Sequence, residues 1–479
     1  MSDIEYNFLA VAVLGAWIPA ILVLFAFLPP RRAVIASFVI GYLFLPDLSL
    51  HFHTLPDINK ASLTAIGVIL ASLLFDGGRL FAVRPRIIDI PCIVLCLSPI
   101  ATSWSNDLGL MDGLSMGMNI ACRWGLAYWI GRAYFTDWEG MRELAMGIVM
   151  GGIAYAPLCW WEIRMSPQLH GQIYGWTFAS FRKDANIFGY RPNVFLANGL
   201  TVTMFMGASA LLAFWAWMTQ SPRRLLGAPM AWIAVFLLIT TIFCKALGGL
   251  ILLVAGIGVL LLVKWPKTRL AVLGLILAAP TYMVVRATGD WSGERMVRAA
   301  AAISEERAQS LEFRLKNENL LAEKAMRQPW LGWGGWSRSH VWDPETGRDL
   351  TIVDGLWIIT LGERGVIGLA ALTLMVLGAA FLLWRRIPTP YWTDAACAAP
   401  VALSVVISLY MIDGLFNATF NPVASLAVGA VASIAATAKT TFGAETGNSS
   451  RRGSRRLAAT SSLKAVPYVY SPGSSAPAK

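Results

Sequence analysis

The stretch Asp354-Gly-Leu-Trp-Ile-Ile-Thr-Leu-Gly-Glu-Arg-Gly365-Val-Ile-Gly368 returns the chain to apolar sequence after a long polar excursion, residues 287–353. Its alternation of apolar runs with glycine reads as the start of a membrane helix. Everything around the excursion supports that reading. The 479-residue chain is 56% hydrophobic and only 14% charged, with a mean hydropathy of +0.59. A soluble chain carries about 25% charged residues.

Apolar stretches of about 17 residues or more are long enough to cross a bilayer as helices. They fall at 8–28, 33–48, 61–77, 87–104, 113–135, 142–161, 192–217, 229–244, 246–264, 269–286, 354–383, 396–413 and 421–437. The expected count is twelve or thirteen, because Pro46 interrupts the second and Lys245 alone separates the eighth from the ninth. The fold class expected is an all-α, polytopic transmembrane helix bundle with a long, partly helical periplasmic loop. Residues 1–286 carry the first ten spans, 287–353 the loop with amphipathic helices, and 354–437 the last three. Residues 438–479 form a disordered, basic cytoplasmic tail, rich in Ser, Ala, Gly and Pro. The N-terminal Met-Ser-Asp-Ile-Glu lacks a basic leader region, so the first span is expected to be retained.

Short loops of one alternate set carry Arg31/Arg32, Arg79/Arg84/Arg86, Arg132/Arg142, Arg223/Arg224, Lys264/Lys267/Arg269 and Arg385/Arg386. The opposite set, at 46–60, 106–112 and 413–422, is poor in basic residues. By the positive-inside rule the basic set faces the cytoplasm. The N-terminus and the long loop are then outside and the C-terminus inside. Much of the net charge of +11 belongs to the tail and inner loops, where contact with anionic lipid explains it better than nucleic acid does; no nucleic-acid partner is expected. All six cysteines lie in or at the ends of spans and imply no disulfide framework.

Within the loop, 294–327 lacks Pro and Gly and reads as helix, in two parts meeting near Gln309-Ser310. Leu311, Leu315, Leu320, Leu321 and Ala325 form an apolar stripe suited to lie on the membrane face. The exit Trp330-Leu-Gly-Trp-Gly-Gly-Trp336 has two readings of equal weight, as interfacial anchors or as glycines that let backbone approach a ligand.

Charges within or at the ends of spans are expensive and are functional candidates. Lys245 sits at the turn between two spans, Arg191 opens the seventh, Asp354 opens the eleventh and Asp413 closes the twelfth, all on the outer face. Arg123, mid-span, reads as a buried structural partner. Two cations and a carboxylate at one leaflet suit a phosphate or pyrophosphate and a proton acceptor for an attacking hydroxyl. No paired-aspartate metal motif is present in the sequence.

The order of these pieces resembles the O-antigen ligase and polymerase superfamily. Arg191-Pro-Asn-Val-Phe is similar to that family's Arg before a Pro-Asn helix start, and Cys244-Lys245-Ala-Leu-Gly to its Ser-Arg-Gly-Ala turn. Arg314 through Gln328-Pro329-Trp-Leu-Gly-Trp-Gly resembles the loop helix and its Pro-x-x-Gly-x-Gly exit. Asp354-Gly355 followed by Gly365-Val-Ile-Gly368 keeps the spacing from the family's His-Asn to its Gly-x-x-Gly. Three features depart from the pattern: Asp354 stands for histidine, Lys245 for arginine, and an additional first span precedes the usual twelve.

The resemblance implies a metal-independent glycosyltransferase of the bacterial inner membrane, with no cofactor. It would move a glycan from undecaprenyl pyrophosphate to an acceptor sugar hydroxyl on the periplasmic face. Arg191 and Lys245 would neutralise the leaving group, with Arg314 assisting. The base would be Asp354 or, alternatively, His340. Polymerisation of an exopolysaccharide or O-antigen repeat is favoured over ligation to the lipid A core of lipopolysaccharide. The partners would be the lipid-linked glycan, the acceptor glycan, the bilayer and polysaccharide-assembly proteins. A transporter or flippase of a lipid-linked or anionic solute, and a non-enzymatic scaffold, are the rival classes.

Overall fold

A computed structural model describes residues 7–51, 56–176, 185–186, 189–289, 291, 293–302, 304–335 and 337–449. Arg182, Lys183, Asp184, Trp336 and residues 450–479 lie outside the described residues, whereas 438–449, expected within the disordered tail, continue the helix Pro422–Ser449. Every expected span overlaps a helix. Among the described residues seven helices are long and apolar enough to cross a membrane; Lys60–Phe75, Met230–Phe243, Ala398–Asp413 and Pro422–Thr437 are shorter apolar helices. The chain is an all-α polytopic bundle, with only three two-stranded ribbons among the described residues.

Local chemistry sets several helix starts. Asn59 accepts the backbone N–H groups of Ala61 and Ser62, both at 3.0 Å, and Ser62 returns the bond to the Asn59 N–H. That reciprocal cap fixes the first turn of Lys60–Phe75. Asn198 caps Gly199–Thr219 through the Thr201 N–H, and Asp137 caps Trp138–Met165 through Gly140.

Two of the boundaries that differ from expectation bear on the candidate residues. The seventh span starts at Gly199, so Arg191 lies ahead of it in non-helical chain. The Glu162 carboxylate takes the N–H groups of Asn193 and Val194 at 2.8 and 2.7 Å, and the Tyr155 hydroxyl takes that of Phe195. These amides are satisfied by side chains, which holds the segment in a turn rather than a helix. The eleventh span starts at Leu356, past Asp354, with the Leu356 and Trp357 N–H groups donated to the carbonyls of Asn417 and Gly414.

The bundle is layered by burial. Gly199–Thr219, Ala398–Asp413 and the first half of Pro422–Ser449 are enclosed by other helices, whereas Phe8–Phe27 is largely exposed. A helix that is apolar on every side and enclosed is a core helix. The closest crossing joins Leu126–Tyr134 to Pro422–Ser449. A Cβ on Gly429 would lie 2.0 Å from the Tyr128 carbonyl oxygen, and one on Gly131 would lie 2.2 Å from that of Leu426. Only glycine permits backbones this near.

The long loop folds onto the bundle. Its helices are Glu294–Ala301 and Glu305–Met326, so the break falls at 302–304 rather than near Gln309. The expected apolar stripe is split. Leu315, Leu321 and Ala325 are buried in protein and Leu320 is exposed, because the second helix packs on Leu356–Arg386 instead of on lipid. Glu318 is the anchor. It accepts from Trp357 Nε1 at 3.1 Å, Tyr282 Oη at 2.8 Å and Arg286 Nε at 3.2 Å. Burial pushes the Glu318 carboxyl up, against the opposing pull of Trp357, Tyr282 and Arg286.

The two loop sets separate by end. At one end the long loop meets 105–112 through Arg338–Asp112 at 3.0 Å and Asn106–Gly332 at 2.9 Å. Asp47 donates its N–H to His170 Nε2 there, and Lys60 reaches the Phe195 carbonyl. The basic loops gather at the other end, where Arg31 pairs with Asp137 and Arg386 bonds to the Ala435 carbonyl.

Candidate functional site

The helix Leu356–Arg386 is broken at Gly365, whose φ of 62° and ψ of −166° leave the helical region. A break frees donors and acceptors that must be paired. The loop exit supplies the partners. Val366 donates to the Pro329 carbonyl at 2.7 Å and Ile367 to that of Trp330 at 3.3 Å, while Trp333 and Gly334 donate to the carbonyls of Gly362 and Glu363 at 2.9 and 3.0 Å. The contact is backbone on backbone. A Cβ on Gly332 would lie 2.6 Å from Arg364 N, and one on Gly365 would lie 2.4 Å from the Trp330 carbonyl. Glycines expected to serve as anchors' spacers or as a ligand approach thus serve to dock the loop on the helix break.

Gly368 has a separate task. A Cβ there would sit 2.3 Å from Cβ of Arg364, so the glycine makes room for the arginine's stem. Arg364, buried at 8% exposure, bonds to Glu363 at 2.7 Å. Both residues line a cavity of about 260 Å³. The inward face of the new helix contributes Leu356, Ile359, Thr360 and Glu363, at helical spacing on one side.

The opposite wall comes from Leu110–Ile120 and the π turn Ala121–Gly125 that follows it. Such a turn inserts one residue into a helix and recurs at functional sites. It carries Arg123, which lines the cavity and is exposed to it. Among the described residues Arg123 has neither a hydrogen-bond nor an ion-pair partner. It does not fit the structural-partner role expected for it. The third wall is the segment before Lys60–Phe75. Asp57 is held there by its N–H on Asn119 Oδ1 at 2.6 Å and by His51 Nδ1 on Oδ2 at 3.1 Å. Its Oδ1 is buried with no hydrogen-bond partner among the described residues.

None of the five residues given catalytic or substrate-binding roles from the sequence lines this cavity. Asp354 and Arg314 do come together, at 3.5 Å, in a half-exposed ion pair between the loop helix and the turn into Leu356–Arg386. His340 lies out in the loop, bound through Nδ1 to Asp349 at 2.5 Å and stacked on Trp342. Arg191 is half-buried, with its stem against Gly199. Lys245 sits in the left-handed region at φ 61°, in the turn between Met230–Phe243 and Leu247–Lys264, and burial lowers its ammonium's pKa. Asp413 is satisfied locally by Asn417 and Thr419. Arg364, Glu363 and Asp57 were missed. For the first two the signal was present, since both are charges inside an otherwise apolar helix.

The cavity can hold an anion. It joins two guanidiniums, one of them unpaired, to two carboxylates in a wall that is otherwise mostly apolar. Residues 232–373 match the family model described as O-antigen ligase. That segment contains Lys245, the loop helix, His340, Asp354, Glu363 and Arg364; Arg123 and Arg191 precede it. No curated protein matches the chain. The chain is a multi-pass membrane protein, and the matched segment is of the O-antigen ligase type. The match supports its assignment to the O-antigen ligase-related superfamily, through the segment that holds the Gly365 break and Arg364.

Proposed function

We propose that the protein is a glycosyltransferase that polymerises an exopolysaccharide or O-antigen repeat, using a glycan carried on undecaprenyl pyrophosphate at the periplasmic face of the inner membrane. Arg123 is the observation that carries this reading. An arginine within a span and without an ion-pair or hydrogen-bond partner is costly, and an anionic ligand offsets that cost. Arg123 and Arg364 would hold the pyrophosphate, in place of Arg191 and Lys245. Asp57 would be the proton acceptor. Asp354 on Arg314 and His340 on Asp349 are the competing acceptors.

In the proposed step the acceptor hydroxyl oxygen attacks the anomeric carbon and its bond to the pyrophosphate oxygen breaks. The hydroxyl proton passes to the carboxylate, and undecaprenyl pyrophosphate leaves with the bonding electrons. Guanidiniums aimed into the cavity would stabilise the charge that develops on the leaving group. Asp354, standing where the ligase pattern has histidine, favours polymerisation over ligation.

The test is glycan production in cells at matched protein levels. Arg123→Ala and Arg364→Ala are expected to lower product by about a hundredfold or more, the scale of losing one transition-state donor. Arg191→Ala and Lys245→Ala should cost less, and Asp57→Asn more than Asp354→Asn or His340→Gln. A ladder of lengthening glycan, rather than a single core-linked band, would mark a polymerase. Normal product from both cavity arginine variants would sink the proposal.

A further inference from the structure

The end of the bundle opposite the long loop holds a second polar cavity. It measures about 360 Å³ and is lined by Arg31, Arg79, Arg84, Arg86 and Arg132, with no carboxylate in its wall. Asp137, Asp76 and Asp89 hold Arg31, Arg79 and Arg132 from behind. Arg86 is fixed by Nη1 on the Ala436 carbonyl at 2.7 Å. Among the described residues Arg84 has no ion-pair partner. Five guanidiniums against three carboxylates leave the pocket positive.

An apolar groove of about 630 Å³ adjoins it. Ile87, Ile88 and Pro91 form one side, and Leu374, Gly378 and Phe381 the other. Arg86 lines both spaces. An apolar groove along a membrane helix is ordinary by itself. This one opens, at the end of the helix, beside a cluster of cations. That is the arrangement of a headgroup and an acyl chain, and basic pockets between membrane helices take anionic headgroups.

We propose that this composite site binds one anionic phospholipid, with its phosphate among Arg84, Arg86 and Arg79 and an acyl chain between Ile87 and Phe381. The chain's own tail is an unsuitable occupant. It carries seven Lys/Arg against one Glu after Ala438, and the pocket repels it. Inorganic phosphate would fill the pocket and leave the groove unused.

Native mass spectrometry on the delipidated full chain, titrated with phosphatidylglycerol, phosphatidylcholine or inorganic phosphate, tests this. Phosphatidylglycerol is expected to bind about tenfold or more tighter than phosphatidylcholine, and Arg84→Ala with Arg86→Ala to remove that preference. A Cβ at Gly378 meets nothing within 4 Å, so Gly378→Trp enters the groove without disturbing the arginines. It should weaken phosphatidylglycerol several-fold and leave phosphate unchanged. Equal binding of the two lipids overturns the proposal. So does phosphatidylglycerol binding that Gly378→Trp leaves intact while phosphate competes for the pocket, which marks a free-phosphate site. If the double arginine variant fails to fold, Gly378→Trp decides alone.

Discussion

The N–H of Val366 donates to the carbonyl of Pro329 at 2.7 Å, across a gap of membrane-helix break and loop exit that only glycine backbones can close. Val366 would have bonded within its own helix if Gly365 had not turned the chain. The loop therefore completes the helix, and the cavity wall carrying Arg364 depends on that completion.

Gly365→Ala is expected to lower stability by about 2 kcal/mol from the positive φ alone, with more from the clash at Trp330. Gly332→Ala should act similarly through the Arg364 backbone. Thermal unfolding in detergent and faster hydrogen exchange at 329–334 would register both. Wild-type values for Gly365→Ala would show that the loop is not docked as described.

Glu318→Gln should destabilise the loop helix by about 3 kcal/mol or more, because it strips the buried Arg286 of its counter-charge. Replacing the pair together, with Arg286→Met and Glu318→Leu, should recover much of the loss. Protease sensitivity of 305–326 is the direct readout. If the double variant is as sensitive as the single, charge pairing is not what holds the helix.

His170 gives a pH dependence. Burial lowers its pKa, although the Trp176 carbonyl and Asp47 pull the other way and Lys60 adds to the lowering. Nδ1 binds the Trp176 carbonyl and Nε2 accepts the Asp47 N–H, so the ring serves in its neutral form. The stability it contributes is present above the unfolded pKa of about 6.5 and is lost as pH falls through the lower, folded value. Melting temperature should drop between pH 7.5 and 5, and His170→Gln should flatten that slope. An unchanged slope in the variant would assign the acid sensitivity elsewhere.

Gly429→Leu is expected to separate Pro422–Ser449 from Leu126–Tyr134, since even a methyl group would sit 2.0 Å from the Tyr128 carbonyl oxygen. A loss of several kcal/mol, of the size seen for overpacked cores and beyond, would leave little folded protein in fluorescence-detected size exclusion. A monodisperse wild-type profile would refute the crossing.

Hydropathy made the spans legible, because bilayer thickness fixes their length and lipid fixes their composition. It was blind to the start at Gly199, which Glu162 sets from far along the chain by capturing the amides of Asn193 and Val194. The spacing from Asp354 to Gly365 and Gly368 identified the right segment. It pointed to Asp354, whereas the glycines serve the loop and Arg364. Arg123 was visible as a mid-span charge, but nothing in its neighbours announced the π turn that carries it to the cavity. Asp57 looked like any loop acid until His51 and Asn119 were seen to hold it.

Both cavity arginines ride on irregularities of helix, Arg123 on the π turn and Arg364 beside the Gly365 break. The placement of their two backbones is thus set by these irregularities and is sensitive to chain length. Deleting a single residue from 121–125 would return that helix to a regular 3.6-residue repeat and remove the irregularity that carries Arg123 to the cavity. The site is built to tolerate substitution around it better than it tolerates a one-residue deletion.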